Sequence, residues 1–403
     1  MKNFLILLFP FLCAYVPAGK MEAGSDKAVM VQDIVKTLRK QVMAEADWAM
    51  QQEPETVTAT VSPRSAGGPH DFFSEADYFW PNPKSADSPY INRDGMTNPG
   101  NFVAHRYAMI RFSKVIGALA SAYLLTHDTK YVARALQHCR AWFLDSSTYM
   151  YPSLLYAQAI KGRVTGRGIG IIDTIHLMEV VQGLMAMAPA IDKNVLDDIK
   201  KWFASYLQWL KTHQYSKDEM NRANNHATCW AMQVAEYARF TNDKPMLAFC
   251  RNRFEQVLLP GQMAANGSFP LEIKRTKPYG YSIFNLDAMT MICQILSDNK
   301  NDLWSYTTAD GRGMKKGMEY LFPYLKDKSA WPFEKDVMHW DNWPVAQPSL
   351  VFCALAYDQP DWLDTWKILD HQPKDEEVIR NLPVRHPLIW IPELISGKIK
   401  PHA

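Results

Sequence analysis

From Phe102 onward the sequence keeps one period. Met109, Phe112, Ile116, Leu119, Ala120 and Tyr123 share one helix face, and the same spacing returns in segment after segment. Helices are predicted from His127-Asp128 to Leu144 and at 194–213, 225–241, 243–259, 281–297, 312–326 and 347–357. Thr174, Met178, Val181 and Met185 form a stripe behind Asp173, the predicted N-cap of another helix. An earlier helix is predicted over 27–50 from Val31, Ile34, Val35, Leu38, Val42 and Ala46. No alternating strand blocks interrupt the series. Helix starts at Asp173, His226, Ser282 and Gln347 recur every roughly 50–65 residues, the pace of successive helix–loop–helix hairpins. The expected fold is all-α: a single (α/α) toroid, or barrel, of six or seven hairpins with long functional loops. A two-domain all-helical chain is the alternative.

Two stretches break the period. Residues 51–101 are rich in Pro, Gly, Ser, Asn and Asp, yet contain Asp77-Tyr-Phe-Trp80-Pro-Asn82-Pro. That aromatic content argues against disorder and for a functional loop. Trp80 either pins this loop to the core or meets a ligand. Residues 145–172 hold Tyr156-Ala-Gln158 and Gly162-Arg163-Val-Thr-Gly166-Arg167-Gly168-Ile-Gly170. This glycine run lacks the Lys-Ser/Thr of a phosphate loop and follows no strand, so it fits a tight loop bearing two arginines.

Composition narrows the partners. A formal charge of +2 is too small to draw nucleic acid, so an acidic ligand must meet a local cationic patch. The 13 Trp and 18 Tyr supply flat faces for sugar rings, although helix interfaces use such residues too. Lys2 and the apolar run Phe4 to Val16, ending in Val16-Pro17-Ala18, predict a signal peptide over 1–18, leaving one domain over 19–403. A periplasmic or secreted location is expected. Leu12 is bulky before Cys13, which disfavours lipidation. No later stretch reaches the roughly 20 apolar residues of a membrane span, so no membrane association is expected. Cys139, Cys229, Cys250, Cys293 and Cys353 lie in apolar helical settings without CxxC spacing. They read as buried thiols, with one disulfide possible and no zinc site. Nothing in the sequence fixes an oligomeric state.

The chemistry gathers near two helix starts. In Asn224-Asn225-His226 the histidine heads the stripe that continues through Trp230 and Val234. A helix N-terminus offers free N–H groups and favours an anion. The plainer reading is an asparagine cap and a core histidine. The second group is Glu272-Ile-Lys-Arg275-Thr-Lys277-Pro-Tyr279-Gly-Tyr281. An arginine beside a tyrosine favours the phenolate, lowering a pKa that starts near about 10. Such a tyrosine can serve as general base or acid. Arg275 can also pair with Glu272. Together, an amide, an imidazole, a guanidinium and a phenol can neutralise a carboxylate and remove the proton beside it.

Asn225-His226, Phe269-Pro-Leu-Glu272-x-x-Arg275-Thr-Lys277 and Tyr281-Ser-x-Phe-Asn285-Leu resemble the alginate lyase superfamily with an (α/α) toroid. Tyr156-Ala-Gln158, Gly166-Arg-Gly-Ile-Gly-Ile-Ile-Asp173 and Tyr-Phe-Trp80-Pro-Asn-Pro resemble it too, so the likeness spans about residues 70–300. The gaps of 49 from His226 to Arg275 and of six to Tyr281 are most similar to polysaccharide lyase family 38. In family 5 the Arg–Tyr gap is one residue longer. The resemblance implies a polysaccharide lyase that cleaves alginate by β-elimination. It implies that Asn225, His226 and Arg275 neutralise the carboxylate of the +1 sugar. Tyr281 would take the C5 proton and protonate O4, with His226 as base for the C5 epimer. Gln158, Arg167, Trp80, Lys277 and Tyr279 are implied sugar or carboxylate contacts. Trp331, Trp340 and Trp343 either line a late loop over the cleft or pack in the core. No metal or other cofactor is required when protein cations neutralise the carboxylate. The expected partner is an acidic polysaccharide, alginate or another polyuronate such as glucuronan.

Two rivals remain. An (α/α) glycoside hydrolase needs two carboxylic acids roughly 5–10 Å apart. Asp173, Glu179, Glu272 and Asp287 sit in no matching paired motif. A non-catalytic glycan-binding protein is the other.

Overall fold

The computed structural model describes residues 23–85 and 87–401, so the expected signal peptide lies outside the described residues. Helix α1 (Ala23–Met50) buries Val31, Ile34, Val35, Leu38, Val42 and Ala46, the stripe read from the sequence. There follow α2 (Ala104–Thr126), α3 (Lys130–Phe143), α4 (Leu177–Met187), α5 (Lys193–Thr212), α6 (Gln214–Met220), α7 (Asn225–Thr241) and α8 (Lys244–Arg253). Then come α9 (Leu259–Gln262), α10 (Pro270–Ile273), α11 (Pro278–Leu296), α12 (Met314–Lys326), α13 (Pro348–Tyr357), α14 (Pro360–Ile368), α15 (Glu376–Arg380) and α16 (Pro392–Ile395).

Apolarity sorts the long helices into two layers. Helices α4, α7, α11 and most of α2 are buried nearly all round, whereas α3, α5 and α12 bury one stripe. The first kind belongs inside and the second outside. Inner α2 packs on α4, α4 on α7, α7 on α11 and α11 on α13. The outer helices α1, α3, α5, α8, α12 and α14 back them, and α1, against α2, α13 and α14, closes the circle. The toroid is present. Among the described residues it has five inner–outer pairs plus the outer helix α14. The sixth inner place goes to a short turn, Pro387–Trp390, on α2 and α4, so the sixth unit is an abbreviated one. One connected apolar core runs from Met30 to Leu394. Helix α2 is long and apolar enough to cross a membrane, against expectation, but 83% of that stretch is buried in the ring.

Inner-helix starts are tied down by distant carboxylates. Glu272 accepts the Asn225 N–H of α7 at 2.7 Å, Asp336 accepts Tyr279 and Gly280 of α11 at 2.9 Å each, and Asp287 accepts Ser349 of α13 at 3.0 Å. Each satisfies N–H groups that the helix cannot and offsets its positive end. Outer α5 and α8 are instead capped locally, by Asp192 and Asp243.

Several local expectations change. Asp173 caps nothing: it sits in a 3₁₀ turn, Gly168–Thr174, ahead of α4. Its carboxylate accepts from Ser74 at 2.6 Å, Gln158 at 3.1 Å and Arg106 at 3.4 Å. The helix predicted at 243–259 widens into a π-turn, Phe254–Leu258, beside Pro260, which has no N–H to continue the α pattern. Four short strands also occur. β1 (Phe73–Glu75) pairs in parallel with β4 (Tyr156–Ala159), and β2 (Phe79–Trp80) pairs antiparallel with β3 (Ile91–Asn92). They are too short to show alternation, and β1–β4 join the two aperiodic segments. The five described cysteines are buried and unpaired, and burial pushes their thiols up.

Candidate active site

The starts of α7 and α11, the segments around β2 and β4, and the end of α15 meet around a cavity of about 130 Å³. Asn225, His226, Arg275, Tyr281, Gln158 and Arg167 all line it.

On α7, Asn225 gives its backbone N–H and one amide hydrogen to Glu272, at 2.7 and 2.9 Å. The second amide hydrogen is left for the cavity. His226 Nδ1 stands 2.6 Å from the fully buried Glu219. A carboxylate only accepts, so this contact puts the proton on Nδ1 and leaves Nε2 as the ring's acceptor.

Arg275 lies with its guanidinium carbon 3.8 Å from the Tyr281 ring centre. It donates to Asp94 at 3.1 Å, and the expected pairing with Glu272 is looser, at 3.8 Å. Burial works against the Arg275 charge, but Tyr281, Asp94 and Glu272 outweigh it and raise its pKa. Tyr281 is 6% exposed. Burial pushes its phenol up, and the downward pull of Arg275 and of the Tyr78 hydroxyl does not overcome that. The expected pull from arginine is there, but the resting group is a neutral phenol.

Gln158 sits in left-handed backbone, φ 51, and gives Nε2 to Asp173 at 3.1 Å. Arg167 reaches back to Gln158 Oε1 at 2.9 Å and lies over the Phe79 ring at 5.1 Å. Burial draws Arg167 down to about 10, so it stays a cation near neutral pH. A side chain at Gly166, Gly168 or Gly170 would run into Leu155 O at 2.0 Å, Tyr215 O at 2.3 Å or Ala157 Cβ at 2.3 Å. The glycine run therefore serves close backbone packing that presents Arg167.

Three expected contacts lie off the cavity wall. Trp80 donates its indole N–H to Met96 O at 2.8 Å, with Arg93 over its ring at 5.2 Å, and so pins the loop. Lys277 is buried, lowered by that burial, and paired to Glu377 at 2.7 Å. Tyr279 gives its hydroxyl to Tyr324 O at 2.9 Å and packs on Trp331 and Trp340. Trp331, Trp340 and Trp343 are likewise not on the wall; Trp331 and Trp343 are buried in the core.

The wall also holds Tyr78, Asn92, Asp94, Arg380 and Asn381, which the sequence reading missed. Tyr78 sits in the aromatic loop flagged for Trp80. Arg380 and Asn381 come from a C-terminal segment with no motif. Of the four carboxylates weighed for hydrolysis, none lines the cavity: Asp173, Glu179, Glu272 and Asp287 are buried and hydrogen-bonded elsewhere. The two acids on the wall are Asp94 and Asp77, and Asp77 is held by Arg106 at 2.7 and 2.8 Å and Arg380 at 3.0 Å.

A family model described as alginate lyase matches residues 56–331. An alginate lyase from Bacteroides ovatus is similar at 28% identity and a TM-score of 0.76, over 92% of this chain and 98% of that one. Alginate lyase A1-III from Sphingomonas species A1 shares the fold at 13% identity and a TM-score of 0.52, over 87% and 94% of the two chains. A variant of alginate lyase A1-III complexed with tetrasaccharide is similar at 16% identity and a TM-score of 0.50, over 77% and 84%. No curated protein sequence matches.

Proposed function

The chain belongs to the alginate lyase family, and from that premise we propose that this cavity cleaves alginate by β-elimination. The observation that carries the reading is the shared wall: an amide, an imidazole, a guanidinium and a phenol border one cavity of about 130 Å³. Asn225 and Arg275 bind the carboxylate of the sugar whose C5 proton is removed, and His226, whose Nδ1 proton is held by Glu219, joins them from Nε2 only when both ring nitrogens carry a proton. Charge that develops on that carboxylate as C5 loses its proton is stabilised by donors already in place.

The electron count closes with side chains alone. Tyr281 first gives its own proton to solvent and then, as phenolate, takes the C5 proton. The C5–H pair becomes the C4=C5 double bond, the C4–O4 bond breaks, and O4 leaves with its pair. O4 then takes the proton from Tyr281, which returns to phenolate. For the C5 epimer, His226 Nε2 takes the proton from the opposite face and Tyr281, as phenol, protonates O4. The Glu219–His226 contact favours this second role, because it keeps Nε2 free to accept.

The test is product chemistry on polymannuronate, polyguluronate and glucuronan with ultraviolet detection. The reading expects an absorbing unsaturated uronate from at least one alginate block. Tyr281→Phe should lose about 10²–10⁴-fold in turnover while binding is kept. New reducing ends without absorbance would mean hydrolysis, and binding without product a glycan-binding protein. Turnover on glucuronan alone would move the substrate to another polyuronate. A near-normal rate in Tyr281→Phe would sink the assignment of the base.

A further inference from the structure

Tyr281 has a neighbour that the steps above do not use. Its hydroxyl donates to the Tyr78 hydroxyl at 3.0 Å, and Tyr78 donates on to Glu377 at 3.1 Å. A carboxylate only accepts, so the chain runs one way, from Tyr281 through Tyr78 to Glu377. The Tyr281 proton is thereby committed to Tyr78, and the lone pairs of its oxygen are left for the cavity.

Glu377 is itself fixed. Lys277 stands 2.7 Å from one oxygen and Arg380 3.1 Å from the other. Arg380 also grips Asp77, the residue before Tyr78, at 3.0 Å. The side chains of Lys277, Glu377 and Asp77 are each 4% exposed. Helix α15, which carries Glu377 and Arg380, lies beyond the stretch 56–331 that matches the family.

We propose that Tyr78 is a further catalytic residue: it accepts a hydrogen bond from Tyr281 at rest and donates one to the Tyr281 phenolate when that oxygen acts as base. Glu377 and Arg380 are positioning residues that act through it. The proposal rests on the reading of Tyr281 as base. A phenolic O–H turns about its C–O bond, so Tyr78 can swing its proton from Glu377 to Tyr281 with the ring still. When it does, Lys277 and Arg380 remain on Glu377, which is not left bare. A hydrogen bond to the new anion is charge-assisted, which favours the swing once the phenolate forms.

The direction of the pH effect follows. Arg275 and Asp94 face Tyr281, while Lys277, Glu377, Arg380 and Asp77 surround Tyr78. Burial raises the Tyr281 phenol, Arg275 and the Tyr78 hydroxyl lower it, and Glu377 and Asp94 raise it. Removing the Tyr78 hydroxyl deletes one of the two lowering contributions, so the phenolate forms at higher pH.

Tyr78→Phe keeps the ring and removes the hydroxyl. Its kcat against pH on polymannuronate is compared with wild type and with Tyr281→Phe. Expected is a kcat lower by about ten- to a hundredfold with KM near wild type, and an acid limb moved up by about one to two pH units. A merely structural role would lower the rate without moving the limb. An unshifted limb in Tyr78→Phe, with Tyr281→Phe inactive, overturns the role of Tyr78 alone. An active Tyr281→Phe overturns the reading beneath it. Should Tyr78→Phe fail to fold, a fluorinated tyrosine at position 78 replaces it. That more acidic phenol is a stronger donor and must move the limb down; an unmoved limb overturns the proposal.

Discussion

Asp94 governs how much of Arg275 is free for a substrate. It takes Arg275 at 3.1 Å and the Thr276 hydroxyl at 3.0 Å, from a side chain 36% exposed at the cavity rim. An incoming sugar carboxylate competes with it. Asp94→Asn is expected to lower KM by about two- to fivefold, the size of an exposed ion pair. It should also move the acid limb of kcat down, since Asp94 pushes the Tyr281 phenol up. Both kcat and KM measured across pH check this; a raised KM with an unmoved limb contradicts this role. Asn225, His226, Arg275 and Tyr281 were legible because each stands at or just before a helix start, where local spacing places it. Asp94, Tyr78 and Arg380 were not, because each reaches the cavity only through contacts far along the chain. Tyr279 misled for a simple reason: two residues from Tyr281 is about 200° around a helix, so the two rings face opposite ways.

Among the elements, the long helices of both layers were legible and the short ones were not. Helices α7, α11 and α13 start within a few residues of their predicted bounds, because apolar side chains persist along their whole length. The short α6 and α14 were missed: outside the ring they need only one buried stripe, too brief to register as a period. Close packing inside the ring was invisible until the helices were assembled. Gly117 of α2 is an example. A Cβ there would lie 2.2 Å from Nδ1 of His386, a ring held by Glu179 at 3.1 Å and Glu45 at 3.4 Å. Because that ring is pinned on both sides, it has little room to yield. Gly117→Val is therefore expected to destabilise the fold by about 1–3 kcal/mol, seen as a lower denaturant midpoint. An equal or higher midpoint would show that the ring moves aside.

At the scale of the molecule, the near-neutral charge pointed to a local cationic patch, and basic side chains gather at two cavities. Arg167, on the reaction cavity, and Arg163 both sit over the Phe79 ring, at 5.1 and 5.9 Å. Arg163 also lines a second cavity of about 660 Å³, together with Arg64 and Lys161. Glu75 lines this second cavity as well and holds Arg64 at 2.6 Å, so Lys161 and Arg163 are the cations it offers an acidic polymer. Replacing both Lys161 and Arg163 by alanine is expected to raise KM for polymer by about two- to tenfold, while kcat and short oligomers are little affected. Added salt should raise the wild-type KM more than that of the double variant. Equal salt dependence would place the polymer elsewhere.

The central claim is that one sugar carboxylate sits between Asn225 and Arg275 with its C5 proton beside the Tyr281 oxygen. The most direct measurement is a structure of Tyr281→Phe with an oligomannuronate bound. The account predicts a carboxylate within hydrogen-bond reach of both side chains and C5 against the ring at position 281. A carboxylate held away from Arg275, or a C5 facing away from position 281, would contradict it.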